Sequence, residues 1–97
     1  MNWPPFHPAA RAEFDGAVDY YALESKALAR RLVLRTLEVI EVLREFPEAG
    51  SPIGATARRF SLHPFPHDLV YVPEGDDIFI YAFAHHRMRP EHWKARL

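Results

Sequence analysis

Apolar residues in the first half of the chain recur at the spacing of an α-helix. From Pro8 to about Leu23, the residues Ala10, Phe14 and Tyr21 fall on one side, and polar residues take the other. Pro8 suits the first turn of a helix, where its missing N–H costs no hydrogen bond. The pattern therefore predicts a first helix that begins at Pro8.

A second helix is predicted from about Lys26 to Phe46. Ser25 is a good N-cap, and it follows the first helix so directly that the two helices should form an antiparallel hairpin. The apolar stripe of this helix is wider than one neighbour can cover, which indicates contacts with both the first helix and a sheet. The alternative leaves part of the stripe exposed for another protein. Pro47 ends the helix, and the composition of residues 47–54 predicts a loop.

Three segments in the second half are typical of β-strands. Arg58 to His63 alternates between apolar and polar residues, whereas His67 to Val72 and Asp77 to Ala84 are apolar on both faces. Proline-rich turns separate them, so we expect an antiparallel meander with the last strand in the middle of the sheet. Residues 2–7 contain two prolines that cannot donate to a ladder, and they are predicted to be a fourth, edge strand or an extended lead-in.

The predicted architecture is α+β, a helical hairpin packed on a three- or four-stranded antiparallel sheet. The 97 residues are expected to form one domain, since there is no room for a second core. The absence of cysteine excludes disulfides and cysteine-ligated metals. No apolar run reaches the length of a membrane span, and the N-terminus lacks the pattern of a signal peptide. We therefore expect a soluble, cytoplasmic protein with no membrane partner.

Basic residues are concentrated at the C-terminus. The net charge of −1 does not suggest a nucleic-acid-binding protein. From His86 onward, however, only Glu91 opposes the four cationic residues Arg87, Arg89, Lys94 and Arg96. This distribution indicates either a solvated tail or a local cationic site.

The strand pattern proposes a candidate site on the sheet face that the helices leave uncovered. Arg58 or Arg59, Tyr71, His85 and Arg87 are predicted to share that surface. Such a set can hold a phosphodiester, because arginines bind phosphate oxygens bidentately and histidine exchanges protons near neutral pH. The competing interpretation, which we favour, is that the arginines form ion pairs within the chain and the histidines merely end a strand.

The sequence does not suggest a metal or cofactor site. His63 and His67 are four residues apart, but the intervening Pro-Phe-Pro turn is incompatible with helical ligand spacing. There is no glycine-rich phosphate loop and no nucleophile elbow. Met88 and Trp93 can stack on a ring, although folding back onto the core is commoner for such residues.

Several short runs occur in a distinctive order and spacing over nearly the whole chain. They are Phe6-His7-Pro8-Ala9-Ala10, Glu13-Phe14, Tyr20-Tyr21, Phe46-Pro47-Glu48-Ala49-Gly50, Arg58-Arg59-Phe60, Phe65-Pro66-His67, Leu69-Val70-Tyr71, Ile78 to Ala84, His85-x-Arg87-x-Arg89-Pro90 and Trp93. Together they resemble the ParE toxin branch of the ParE/RelE superfamily. The sequence departs from that pattern at His67, where the family often has tyrosine, and at Pro4-Pro5, which interrupt a usually regular first strand.

The resemblance implies a toxin of a bacterial or archaeal type II toxin–antitoxin system, cytoplasmic and neutralised by a small antitoxin encoded beside it. It also implies a helical hairpin against an antiparallel sheet. ParE-branch toxins are associated with poisoning DNA gyrase, and RelE-branch toxins with cleaving mRNA on the ribosome by a basic residue set. The predicted strands carry no lysine, which argues against the nuclease activity.

Three functional hypotheses follow. The first is a non-enzymatic toxin that inhibits a protein target, DNA gyrase above all, and is silenced by an acidic amphipathic segment of its antitoxin. The second is an mRNA endoribonuclease in which His85 or Tyr71 is the acid or base and Arg58 and Arg87 steady the phosphate. The third is a degenerate member that only binds its antitoxin. The residues expected to bind the target or partner are Arg58, Arg59, His85, Arg87, Arg89 and Trp93.

Overall fold

The computed structural model describes residues 2–97 and consists of two long helices, four strands and one short helix. These elements are α1 (Pro8–Glu24), α2 (Lys26–Glu45), β1 (Ser51–Ile53), β2 (Ala57–Ser61), β3 (His67–Glu74), β4 (Asp77–His85) and α3 (Glu91–Lys94). The strands form one antiparallel sheet in the order β1-β2-β3-β4. The predicted helical hairpin on an antiparallel sheet is confirmed.

Capping side chains fix the ends of the two long helices. The His7 Nδ1 accepts a hydrogen bond of 3.1 Å from the Ala9 N–H at the start of α1. Ser25 serves both helices, because its N–H donates to the Tyr21 carbonyl and its hydroxyl accepts from the Leu28 N–H. A single extended residue therefore ends α1 and begins α2, as the sequence predicts.

The main core lies between the helical hairpin and the sheet. Side chains from α1, α2 and the strands meet there with little or no exposed surface. Its buried members include Ala10, Phe14, Leu32, Val39, Ile40, Leu43, Leu69, Tyr71, Ile78, Ile80 and Phe83. The wide apolar stripe of α2 thus contacts both its partner helix and the sheet, although Leu34 and Val42 remain exposed.

The fourth strand does not come from the N-terminal segment. It is β1, which lies within the predicted loop and pairs with β2. The N-terminal segment contributes one isolated parallel bridge, Phe6 to Ile80, because α1 begins two residues later. β4 is therefore the last strand of the four-stranded sheet, and the prediction of a central position for it is wrong.

A register shift in β4 reverses the direction of its side chains. Val70 pairs with Ala82 but Tyr71 pairs with Ile80, so Tyr81 is the extra residue of a β-bulge. Before the bulge an even-numbered residue, Ile80, faces the helices. Beyond the bulge an odd-numbered residue, Phe83, does so. A bulge shifts the side-chain alternation by one residue, which strict parity along the strand does not anticipate.

The second face of the sheet is covered by residues 86–97, here called the C-terminal segment. Trp93 is 2% exposed and packs with Val70, Ala82 and Ala84 in a second, smaller core. The expectation that this face lies open is therefore wrong. It also explains the apolar character of β4 on both faces, because one face packs on the helices and the other on Trp93. Across residues 2–97, none of the helices combines the length and apolar character required to cross a membrane.

We expect Gly50→Ala to destabilise the protein by about 1–3 kcal/mol, because an added Cβ has no room. It would lie 2.6 Å from the Tyr71 hydroxyl oxygen and 2.8 Å from the Arg59 carbonyl oxygen. The matched control is Gly16→Ala in α1, where no atom lies within 4 Å of the new Cβ and helix propensity should add about 0.5–1 kcal/mol of stability. Urea denaturation measures both, and equal stability of Gly50→Ala and the wild type would contradict the close packing.

Candidate functional site

The residues predicted to form one surface lie at separate places in the fold. Arg58 pairs with Tyr71 across β2 and β3, and His67 pairs with His85 across β3 and β4. These two cross-strand pairs are four residues apart along β3, or roughly 13 Å. All four side chains belong to the helix-facing side or its rim, not to an open sheet face.

Tyr71 is a core residue. It is fully buried, and its hydroxyl donates to the Pro47 carbonyl at 2.7 Å and accepts from the Gly50 N–H at 2.9 Å. Burial raises the pKa of the Tyr71 hydroxyl above its ordinary value, and the Gly50 N–H and Arg58 only partly offset this. Its structural work is to hold the chain between α2 and β1, and it presents no accessible hydroxyl to a substrate.

Arg58 and Arg59 bond within the chain and point to opposite faces. The Arg58 guanidinium donates to the carbonyls of Glu48 at 3.1 Å and Gly50 at 2.8 Å, so it stabilises the loop that Tyr71 also holds. The Arg59 Nε donates to the carboxylate of Asp68 at 3.0 Å. Asp68 is buried and also lies 3.2 Å from the His86 Nε2. For Arg59, the internal ion pair considered from the sequence is therefore present.

His85 lines a cleft of about 370 Å³ between α1 and the ends of β3 and β4. The bulge at Tyr81 places it on this side of the sheet. Most of the lining is aromatic or apolar; its residues are Glu13, Ala17, Tyr20, Tyr21, His67, Phe83, His85 and Met88. The Arg87 N–H donates to the His85 Nδ1 at 3.0 Å, which fixes the orientation of the imidazole at the rim.

His67 lies at the floor of this cleft and was not among the residues predicted to form the site. Its ring stacks on Phe83 with centroids 4.8 Å apart and meets His85 edge-on at 5.0 Å. The Tyr21 hydroxyl lies 3.3 Å from its Nε2, while its buried Nδ1 has no hydrogen-bond partner within residues 2–97. Burial, and to a lesser degree His85 and His86, lower the pKa of His67 to about 4, against a smaller opposing effect of Asp68. The imidazole is thus neutral at pH 7.

Arg87 and Arg89 are the predicted site residues that remain exposed with free guanidinium groups. Within residues 2–97, neither arginine forms an ion pair. Both lie on the C-terminal segment before α3. Trp93 is buried, so it supports this segment from beneath. Lys94 is a third exposed cation of the C-terminal segment, which also carries the exposed Glu91.

The geometry supplies a cationic rim and an aromatic cleft but does not assemble a phosphodiester site. Of the four residues proposed for that chemistry, Tyr71 is buried and Arg58 is bonded to loop carbonyls. His85 and Arg87 lie together at the far end of β3 from them. Among residues 2–97 no group of three or more histidine and acidic side chains has the arrangement of a metal site.

Comparison with known proteins identifies similar sequences and folds. A family model described as the ParE toxin of the type II toxin–antitoxin system parDE matches residues 5–90. A solved structure of the chromosomal ParDE toxin–antitoxin system from P. aeruginosa is similar in fold, with a TM-score of 0.69 and 21% sequence identity. The match covers 88% of this chain and 96% of that one. No curated protein matches the chain.

Tyr71→Phe should lower the free energy of unfolding by about 1–3 kcal/mol, because the Gly50 N–H and the Pro47 carbonyl both lose their partner. Tyr20→Phe is the control, since Tyr20 is 66% exposed and should tolerate the change. Urea denaturation at pH 7 compares the two variants. A Tyr71→Phe protein as stable as Tyr20→Phe would show that the hydroxyl does not hold the loop.

His67 should make the protein less stable in acid. Its pKa is about 4 in the folded state and about 6.5 when unfolded, so the unfolded chain binds the proton first as the pH falls. Its contribution is therefore complete above pH 6.5 and declines towards pH 4. Between pH 7 and 4.5, His67→Phe should lose about 2 kcal/mol less stability than the wild type.

The comparison variant is His63→Gln, because it removes an exposed imidazole that does not line the cleft. Phenylalanine at position 67 retains the stacking on Phe83, so the two variants separate the charge effect from packing. Parallel curves for wild type and His67→Phe would contradict a neutral, buried His67.

Proposed function

The chain belongs to the ParE toxin family of type II toxin–antitoxin systems, and from this premise we propose that it inhibits DNA gyrase by binding, without cleaving RNA. A cognate ParD-type antitoxin is the partner that neutralises it. Arg87 and Arg89 are the residues proposed to contact the target, with Trp93 as their support.

The observation that carries the proposal is the separation of the side chains that RNA cleavage would need to bring together. General acid–base chemistry requires the acid or base within hydrogen-bond reach of the scissile group. Tyr71 is buried with its hydroxyl bonded on both sides, and Arg58 is bonded to main-chain carbonyls. His85 stands with Arg87 at the other end of β3. This arrangement supports binding over catalysis.

The exposed cations favour a target with an acidic surface. Arg87, Arg89 and Lys94 are exposed on a segment that is anchored by a buried tryptophan, and they outnumber its one acidic residue, Glu91. Charged groups of this kind at the rim of an interface accelerate association and select partners by complementarity.

The antitoxin is proposed to use two different surfaces. An open, mostly apolar surface depression of about 570 Å³ lies on α2, lined by Leu34, Leu37, Glu38 and Glu41. It suits the apolar side of an amphipathic segment. The two glutamates would repel acidic residues, so the acidic part of the antitoxin is expected at the C-terminal segment instead, where it would cover the cations.

Induction of the protein without antitoxin tests the proposal. We expect growth to stop, plasmid supercoiling to fail and transcripts to remain whole. Early transcript cleavage that His85→Ala abolishes would establish the endoribonuclease instead. Unaffected growth would indicate a member that only binds its antitoxin.

The double variant Arg87→Ala/Arg89→Ala should need at least about tenfold more protein to inhibit supercoiling by gyrase. Each rim charge contributes on the order of 1 kcal/mol to binding. Arg30→Ala/Arg31→Ala is the matched control, because it also removes two exposed cations, but from α2. Equal loss in both double variants would mean that overall charge, and not the C-terminal segment, governs inhibition.

A further inference from the structure

The ion pair between Glu13 of α1 and Arg96 of the C-terminal segment joins distant parts of the chain. Two parallel contacts link the groups, Nη1 to Oε1 at 2.8 Å and Nη2 to Oε2 at 2.7 Å. The two side chains are 18% and 14% exposed, so this is the best-shielded ion pair among residues 2–97. Its shielding and bidentate geometry distinguish it from exposed surface pairs, which contribute little.

The same two side chains also bond to the main chain at the edge of β4. Glu13 Oε1 accepts from the Phe83 N–H at 3.1 Å, and the Arg96 Nη1 donates to the Tyr81 carbonyl at 3.1 Å. In a parallel sheet, one residue of a neighbouring strand donates to one carbonyl and accepts from the N–H two residues further on. Glu13 and Arg96 therefore reproduce with side chains the bonds of one strand residue.

These side-chain bonds begin where the N-terminal segment leaves the edge of β4. The N-terminal segment pairs in parallel with β4 at Ile80, whose N–H donates to the Pro5 carbonyl and whose carbonyl accepts from the His7 N–H. Pro8 then begins α1, and the chain leaves the edge. The next outward-facing groups, on Tyr81 and Phe83, are those that Glu13 and Arg96 occupy.

We propose that Glu13 and Arg96 are positioning residues, a latch that closes the edge of β4 and fixes the C-terminal segment. His86 anchors one end of the segment through the Pro66 carbonyl, and Trp93 with Arg96 anchors the other. Arg87 and Arg89 lie between these anchors. The role assigned to those two arginines rests on the proposed function, whereas the latch itself does not.

Limited trypsin digestion and hydrogen exchange test the latch directly. Arg96→Leu should increase the rate of native-state cleavage after Arg87 about tenfold, because the segment opens more often. The Phe83 amide should stay protected, since Glu13 remains as its acceptor. Glu13→Leu should increase both the cleavage rate and the exchange of the Phe83 amide.

A charge reversal separates the ion pair from general packing. Glu13→Arg/Arg96→Glu should restore resistance to trypsin, while the Phe83 amide stays fast because arginine cannot accept its hydrogen bond. The control is Arg11→Leu, which removes an exposed ion pair with Asp15 on the same helix. If Arg96→Leu does not fold, Arg96→Lys replaces it in the digestion experiment. Lysine retains the charge but cannot form the bidentate contact with Glu13.

Cleavage rates for Arg96→Leu and Glu13→Leu that equal the Arg11→Leu rate would overturn the latch. Gyrase inhibition by Arg96→Leu should fall at least threefold, while cooperative thermal unfolding shows that the variant is folded. If the segment is loosened and inhibition is undiminished, the positioning role is overturned. If the wild type does not inhibit gyrase, the digestion and exchange results still decide the latch.

Discussion

The packing of β4 between two different layers is the constraint on which the structure depends. One strand supplies Ile78, Ile80 and Phe83 to the core under the helices and Ala82 and Ala84 to the small core under Trp93. The bulge at Tyr81 decides which of its residues face which layer, because it shifts the alternation by one residue. In a domain of this size a single core is marginal, so a second layer over the other face adds needed burial.

The C-terminal segment also determines which polar side chains remain exposed. With both sheet faces covered, polar groups on the strands are drawn into internal bonds. Tyr71 and Arg58 hold the loop before β1, and Arg59 neutralises the buried Asp68. An unpaired buried carboxylate would cost several kcal/mol, so the ion pair with Arg59 offsets the burial of Asp68. Among residues 51–97, the exposed cations lie beyond the last strand, where the segment turns over the sheet.

The helical hairpin could be predicted from the sequence because its signals are local. Helical spacing, Pro8 at the first turn and the single capping residue Ser25 act within a few positions of the chain. The strand segments were recognisable for the same reason. The edge position of β4 and the bulge could not be predicted, because each depends on which distant segment of the chain pairs with β4. A one-residue register shift leaves no mark in composition, yet it moved His85 from the expected face to the cleft beside α1. His67 was missed as well, since its neutral state arises from burial and from neighbours brought together only by folding.

A binding toxin and a catalytic one place opposite demands on such a small fold. Catalysis needs several groups held in mutual register around one reacting atom, whereas inhibition by binding needs a few charged groups presented without large ordering costs. On the proposed function, the C-terminal segment serves the second demand. Its ends are tied down at His86 and at Trp93 and Arg96, so Arg87 and Arg89 lose little main-chain freedom on meeting a partner. On the proposed function the first demand does not fall on the strands, whose arginines and tyrosine bond to loop carbonyls and an ion-pair partner.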